Sequence, residues 1–486
     1  MSLRALLLVF TIVAGGFAAE RPNILLILAD NWSSPHAGVL GDKTVRTPVF
    51  DRLASEGALF RNAFCPVPSC SPTRSCLLTG RVAHQLEDAA SLWSGFPKKF
   101  TVFTEALRTA GYETGYCAKG WSPGRPEGEM NPVGTEWPRV RAKGKATTPR
   151  ELDEQMIRGF GEFMEERDKR RPFFFWLGIT LPARHTWHAG EAARRGLRAE
   201  TVQVPGNMPD VPEVRTALLE YYASVERLDA LAGKALALLG AQGVSDSTLV
   251  VYTGDNGWQM PRGLANCYDT GTHVPLAIRW PGVVQPRQVF DQFISLTDFA
   301  PTFLDVGGRL IPQVMTGRSF APLLRGEHDP APRDAVFLER ERHANVRAGN
   351  LSYPMRAIRT RDHLYLRNLR PDRWPAGDPD VWFAVGPYGD VDQSLAKDYI
   401  LAHRDEPAVR RFYELNFAKR PAEELYDLRA DPEQLVNVAG KPEHRAAKDA
   451  LRARLDQWMR DTDDPRVDPA YDRWDEYPYY GGSVKK

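Results

Sequence analysis

Three uninterrupted apolar runs punctuate the first half of the chain. Asn23-Ile24-Leu25-Leu26-Ile27-Leu28 leads into Ala29-Asp30-Asn31, Pro172-Phe173-Phe174-Phe175-Trp176-Leu177-Gly178 has the same form, and Thr248-Leu249-Val250-Val251-Tyr252-Thr253-Gly254 runs into Asp255-Asn256. None alternates apolar with polar residues, so neither face of these strands is meant for water. That is the pattern of a parallel sheet covered by helices on both sides. Between the runs lie helical periodicities, clearest from Glu213 to about Leu239, with Leu218, Tyr222, Val225, Leu228 and Leu231 on one face. The alternation predicts an α/β fold, a mostly parallel sheet sandwiched by helices. After about Leu310 the pieces shorten and Pro and Arg become frequent. Leu425 to Pro432 reads as a strand and turn, and Lys441 to about Arg460 as an amphipathic helix. The expected division is a leader over residues 1–19, a catalytic domain over 20–310 and a smaller C-terminal α+β domain over 311–486.

The first twenty residues change the picture of where the protein works. Arg4 precedes an apolar run from Ala5 to about Ala14, and small residues follow at Ala18 and Ala19. This is the layout of a signal peptide cut near Ala19; the alternative, a membrane anchor, has too short an apolar run. The expectation is an exported protein, periplasmic or extracellular, with no integral membrane association. Charge is balanced, 63 Lys and Arg against 62 Asp and Glu, which offers no basic field for nucleic acid. The five cysteines, Cys65, Cys70, Cys76, Cys117 and Cys267, are an odd number, so at least one thiol is unpaired or chemically used. Their spacing includes no zinc pattern.

Two of the three apolar runs stop at an acid followed by an amide, Asp30-Asn31 and Asp255-Asn256. In open α/β sheets, ligands sit beyond the carboxyl ends of the strands. A single such Asp more often caps the next helix, but two oxygen-rich pairs at two strand ends can meet in one place. The chemistry concentrates in Ser69-Cys70-Ser71-Pro72-Thr73-Arg74-Ser75-Cys76-Leu77-Leu78-Thr79-Gly80-Arg81. Pro72 suits the first turn of a helix and Gly80 its end. Cys70 then stands at a helix N-terminus, where free amides favour an anion. One turn on, Arg74 adds a planar cation suited to sulfate or phosphate oxygens.

This segment resembles the sulfatase signature, Cys-x-Pro-x-Arg followed by Thr-Gly-Arg. The resemblance runs in order through nearly the whole chain. It includes Arg21-Pro22-Asn23 and the strand after it, Thr47-Pro48, Phe60-Arg61-Asn62-Ala63-Phe64, Thr253-Gly254-Asp255-Asn256-Gly257, Arg279-Trp280-Pro281-Gly282 and Glu424-Leu425-Tyr426-Asp427-Leu428. Ser69-Cys70-Ser71-Pro72, His84-Gln85 and Tyr353-Pro354-Met355-Arg356 are most similar to the heparan N-sulfatase branch and its bacterial relatives. The resemblance implies an alkaline-phosphatase-like fold and hydrolysis of a sulfate ester or sulfamate on a sulfated sugar. It implies that a formylglycine-generating or sulfatase-maturing enzyme oxidises Cys70 to formylglycine, whose hydrate attacks sulfur. Asp30, Asn31, Asp255 and Asn256, with the modified Cys70, match calcium-binding positions, and oxygen ligands suit that hard cation. Arg74 and Lys119 match the residues that hold sulfate.

Four positions depart from the family pattern. Asn31 replaces the second acid of an Asp-Asp pair, and Trp121 stands where Gly-Lys-x-His has its histidine. Pro182-Ala183-Arg184-His185 replaces Pro-His-Arg, with His185 as the available imidazole. Leu264 occupies the place of a cation, with Arg262 two residues earlier as a substitute. For the sugar, the C-terminal part offers Glu341, His343, Asn345, Arg347, Arg356, Arg359 and Arg373 with Trp374, read as a sulfate-binding rim in which His343 and Arg356 are the foremost candidates. Two other readings share these features: a phosphoester hydrolase on the same scaffold, and a degenerate sulfatase that binds sulfated glycans without cleaving them.

Overall fold

The computed structural model describes residues 21–128, 131–138, 148–329, 331–380, 383–384 and 386–482. The expected leader, residues 1–19, lies outside the described residues. Among those described, no helix is long and apolar enough to cross a membrane.

The described residues form fourteen strands, in chain order β1 (Asn23–Asp30), β2 (Ala58–Phe64), β3 (Gly95–Phe96), β4 (Glu113–Ala118), β5 (Arg125–Pro126), β6 (Thr135–Trp137), β7 (Phe173–Pro182), β8 (Thr248–Gly254), β9 (Leu276–Arg279), β10 (Gln288–Ser295), β11 (Ala335–Arg340), β12 (Met355–Thr360), β13 (His363–Asn368) and β14 (Glu423–Asp427). Eight form one sheet in the order β10-β2-β9-β8-β1-β7-β4-β6. The three apolar runs are its centre: β1 lies parallel between β7 and β8. Only β9 runs against its neighbours.

The centre is apolar on both faces because both faces are covered. Leu25, Ile27 and Ala29 of β1 join Phe173, Phe175 and Leu177 in one core, beneath helices Pro149–Glu166 and Pro212–Ala241. Ile24, Leu26 and Leu28 join Phe174 and Trp176 in the other, with helices Cys70–Thr79, Phe103–Thr109 and Phe299–Val306. Successive side chains of each strand thus enter opposite cores, as a period of two requires.

A second sheet, β11-β12-β13-β14, is wholly antiparallel. Helix Arg445–Asp461, after a short turn at Pro442–His444, covers one of its faces with Leu451, Leu455 and Met459. The C-terminal part is not separate from the large unit. Ala396, Ile400, Val409 and Phe412, on helices Leu395–Ala402 and Pro407–Asn416, pack into the core that contains helix Pro212–Ala241. This return brings residues near 390 to the carboxyl edge of the large sheet.

Candidate active site

The carboxyl ends of β1 and β8 set the site. After β1 the backbone turns sharply: the β1–β7 register shifts between Ala29 and Asp30, and Asn31 adopts φ 70°. After β8, the Asp255 amide donates to Ala29 O at 2.9 Å, and Asp255 Oδ1 accepts the Asn31 amide at 3.0 Å. The two acid-amide pairs, over two hundred residues apart in sequence, are thereby locked together. Asn256 Nδ2 donates to Asn31 Oδ1 at 2.6 Å.

Helix Cys70–Thr79 points its N-terminus at these carboxylates and ends on Gly80 at φ 65°, a left-handed position that suits glycine. Cys70 Sγ lies 3.3 Å from Asp30 Oδ1 and 3.7 Å from Asn31 Oδ1. Lys119 reaches the same carboxylate because the chain after β4 crosses close over β7. The Lys119 amide donates to Gly178 O at 2.8 Å, and a Cβ on Gly178 would lie 1.8 Å from Lys119 O, so only glycine permits the crossing. Lys119 Nζ then sits 2.6 Å from Asp30 Oδ1. Arg74, fully buried, braces the other acid, with Nε and Nη2 each 2.9 Å from Asp255 Oδ2. Its Nη1 donates to the carbonyls of Lys119 and Gly120.

These groups perturb one another. Burial raises the Cys70 thiol well above its usual range, and the Asp30 carboxylate adds to the effect. Burial works against the Asp30 carboxylate too, but Lys119 and Arg74 outweigh it and hold its pKa low. Lys119 rises in turn, the Asp30 charge overcoming its desolvation. Asp255 goes up, because its burial outweighs the pull of Arg74.

Asp30, Cys70 and Asp255 each present a ligand atom within 4.8 Å of the others. Asn256 Oδ1 is buried and has no hydrogen-bond partner, which an isolated protein does not readily tolerate. Two carboxylates and two amide oxygens, one of them unsatisfied, fit a hard divalent cation such as calcium.

A cavity of about 440 Å³ opens over this cluster, walled by Asp30, Cys70, Lys119, His185, His343 and Asp392 among others. His185 faces it beside Ala183, its pKa lowered by desolvation against the pull of Asp30. His343 pairs through Nδ1 with Ser69 Oγ at 2.8 Å; burial pushes its pKa down to about 4, so the ring is neutral at physiological pH.

Two of the expected substrate contacts lie elsewhere. Arg262 is buried with its guanidinium 3.6 Å from the Tyr268 ring centre, donating to Leu415 O at 2.8 Å and to Tyr426 Oη at 3.1 Å. It ties the α/β unit to β14, and Leu264, not Arg262, lines the cavity. Arg356 is buried under the second sheet, 2.6 Å from Asp464 Oδ2 and 2.9 Å from Glu341 Oε1. The rest of the expected arginine rim is likewise consumed: Arg347 by Asp390, Arg359 by Asp269 and Arg373 by Asp475. Arg356, Arg347 and Arg359 are buried against carboxylates and Arg373 is half-buried against its own, as a guanidinium taken out of water favours. Trp374 packs on Tyr388, away from the cavity. Trp121 turns into the core, donating to Ser75 Oγ at 2.8 Å, so no catalytic group replaces the missing histidine there.

Sequence reasoning missed Trp93, Gln259 and Asp392 on the cavity wall. No motif marks them. Gln259 follows Asp255-Asn256 by three residues, whereas Asp392 enters only through the return of the chain after β13 and Trp93 stands on a turn with positive φ, and neither of these is visible in a local pattern.

The same assignment comes from comparison with known proteins. The family described as Sulfatase matches residues 22–308, and the N-sulphoglucosamine sulphohydrolase C-terminal family matches residues 254–374. Human N-sulphoglucosamine sulphohydrolase is 29% identical over 93% of this chain and 93% of its own. An ulvan-active sulfatase of Formosa agariphila is 28% identical over 91% of this chain and 80% of its own. A protein solved in complex with its substrate D-glucosamine-2-N,6-O-disulfate shares the fold, with TM-score 0.67 and 20% identity, covering 93% of this chain and 99% of that one. With a family match spanning more than half its length, and a signature cysteine seated among carboxylates at the sheet edge, this chain belongs to the sulfatase family of hydrolases.

Proposed function

We propose that this protein removes sulfate, as an ester or a sulfamate, from a sulfated carbohydrate. In this reading Cys70 is converted to formylglycine by a maturing enzyme, and Asp30, Asn31, Asp255 and Asn256 hold a calcium ion. One observation carries the reading: the Cys70 side chain leaves a helix N-terminus and reaches within 3.3 Å of Asp30, under a solvent-open cavity. The relatives named above act on ulvan and sulfated glucosamine by their descriptions, which supports a sulfated sugar as the substrate. Export, with the leader ending near Ala19, belongs to the same proposal.

The formylglycine hydrate supplies an oxygen nucleophile for sulfur and the cation supplies a Lewis acid. The chain's own residues do the rest. Lys119 brings a positive charge to the cavity floor, where it offsets Asp30 and can donate to a sulfate oxygen. Arg74 fixes the Asp255 carboxylate and the Lys119 backbone, so the charged groups do not reorganise when the anion enters. The burial that raises the Cys70 thiol also makes it a poor nucleophile as unmodified cysteine. His185 stands at the cavity wall as a neutral base able to take a proton on its imidazole.

Mass spectrometry of protein made in a host with a maturing enzyme tests the reading. The Cys70 peptide is expected to be lighter by the difference between –CH2SH and –CHO. A fully unmodified peptide overturns it, and a preference for aryl phosphate over aryl sulfate moves the protein to phosphoester hydrolysis. The non-catalytic alternative has specific support, since Leu264 lines the cavity where a cation is expected and Trp121 is withdrawn. Binding of sulfated sugars by wild type with no product above the Cys70→Ala background is the result that favours it.

A further inference from the structure

The cavity wall carries more than the Asp30, Cys70 and Lys119 cluster: Trp93 and Asp392 also line it and belong to neither that cluster nor the candidate cation ligands.

Trp93 is unusual on two counts. It is among the large hydrophobic side chains left exposed, at 36%, and its backbone is left-handed, φ 57°, which is an outlier for a bulky residue. The segment is nevertheless fixed. Trp93 O accepts the Tyr480 amide at 2.6 Å, and the Leu92 amide donates to Arg342 O. Arg342 Nη2 also donates to Ser94 Oγ at 2.9 Å. Two C-terminal segments thus hold the chain around Trp93 in its left-handed conformation with the indole exposed, and strain of this kind clusters at functional positions.

Asp392 arrives from the C-terminal segment that returns to the large sheet. Its Oδ2 accepts a hydrogen bond from Gln259 Nε2, and Gln259 is itself oriented by the Arg184 amide, which donates to Oε1 at 2.5 Å. Nearby Lys397 does not neutralise it by contact: its Nζ is spent on the carbonyls of Tyr388 and Val391. Asp392 Oδ1 takes no hydrogen bond from the described residues. A positioned carboxylate with one free oxygen and an exposed indole on the wall of one cavity are the groups that read a pyranose: the ring stacks on the aromatic face while hydroxyls donate to the acid.

We infer that Trp93 and Asp392 form a sugar subsite that selects a pyranoside with free, uncharged hydroxyls next to the sulfated position. The subsite rests on the sulfatase reading and narrows it. A second sulfate or a carboxylate at the place Asp392 reads meets like charge and is rejected, so the substrate is a lightly sulfated sugar residue.

The test compares wild type, Trp93→Ala, Trp93→Phe and Asp392→Asn on glucosamine N-sulfate, glucosamine 6-sulfate and the sugarless ester 4-nitrocatechol sulfate. The expected result is that Trp93→Ala and Asp392→Asn lose kcat/KM at least tenfold further on a sugar than on the aryl ester, chiefly through KM. Trp93→Phe, which keeps a stacking face, recovers most of the Trp93→Ala loss; unchanged thermal unfolding excludes misfolding as the cause. Equal losses on sugar and aryl ester, or none on either, overturn the subsite. Wild-type turnover of the aryl ester with neither sugar cleaved overturns the subsite alone. Wild type inert on all three overturns the sulfatase reading and the subsite with it.

Discussion

Two regions of this protein bury clusters of opposite charge, and they differ in what remains unpaired. Under the second sheet, Arg356, Arg466, Glu341, Glu339, Asp464 and His84 form a closed network in which each guanidinium meets a carboxylate. At the carboxyl edge of the large sheet, Asp30, Asp255 and Arg74 are equally buried and Lys119 half-buried, but Asn256 Oδ1 has no partner and the cluster opens on a cavity. A saturated network holds structure. A network with an acceptor left over, opening on a cavity, has room for a ligand. Burial and charge are alike in the two; satisfaction separates them.

The sharpest way to break that comparison is at Cys70, the proposed nucleophile. Cys70→Ala should abolish turnover of sulfate esters, a loss on the order of 10⁴-fold or more, while circular dichroism and thermal unfolding stay close to wild type. Activity within tenfold of wild type would show that the open cluster is not a catalytic one. Next in size is Lys119→Met, for which a fall of about 10²–10³-fold in kcat is expected from losing one positioned cation, read in steady-state assays on an aryl sulfate.

The closed network should respond in the opposite currency. Arg356→Met strands Asp464 and Glu341, and breaking a buried pair by removing one partner costs about 3–5 kcal/mol. Chemical denaturation should show that loss while KM for an aryl sulfate holds. A raised KM with unchanged stability would return Arg356 to the substrate site.

Calcium offers a test of the open cluster that does not depend on activity. At a hundredfold excess over Kd, a ligand bound only by the native state adds about 2.7 kcal/mol. Thermal unfolding should therefore shift upward with calcium in wild type, and the shift should vanish in Asp30→Asn. The same shift in both proteins would mean that the ion binds elsewhere.

How far the sequence foretold each region follows the same division. The central strands were legible because burial on both faces forces continuous apolar runs, and the acid-amide pairs were legible because they sit where those runs stop. The helix at Cys70 was readable from Pro72 and Gly80. The arginines were misread for a physical reason: Arg356 and Arg262 look like anion ligands until their partners appear, and those partners, Asp464 and Tyr426, lie over a hundred residues away. Trp93 and Asp392 reach the cavity only through tertiary return of the chain, which leaves no local signature. Charge type is written in the sequence; charge satisfaction is decided by the fold.

The smallest expected effect is a pH dependence confined to the closed network. Desolvation alone would depress the pKa of His84, but Glu339, 2.8 Å from its Nδ1, and then Asp464 outweigh it, so the folded-state pKa is raised. A histidine raised on folding binds its proton more tightly in the native state. Its contribution is fully present below the unfolded value near 6.5 and is lost as pH climbs through the higher folded value. The unfolding temperature of wild type should therefore exceed that of His84→Gln by more at pH 6 than at pH 9, a difference of a few degrees, with the relative turnover of the two proteins unaffected. If the gap instead grows with pH, the imidazole is neutral in the native protein, and the network is not closed by charge but by the hydrogen bonds His84 makes to Thr462.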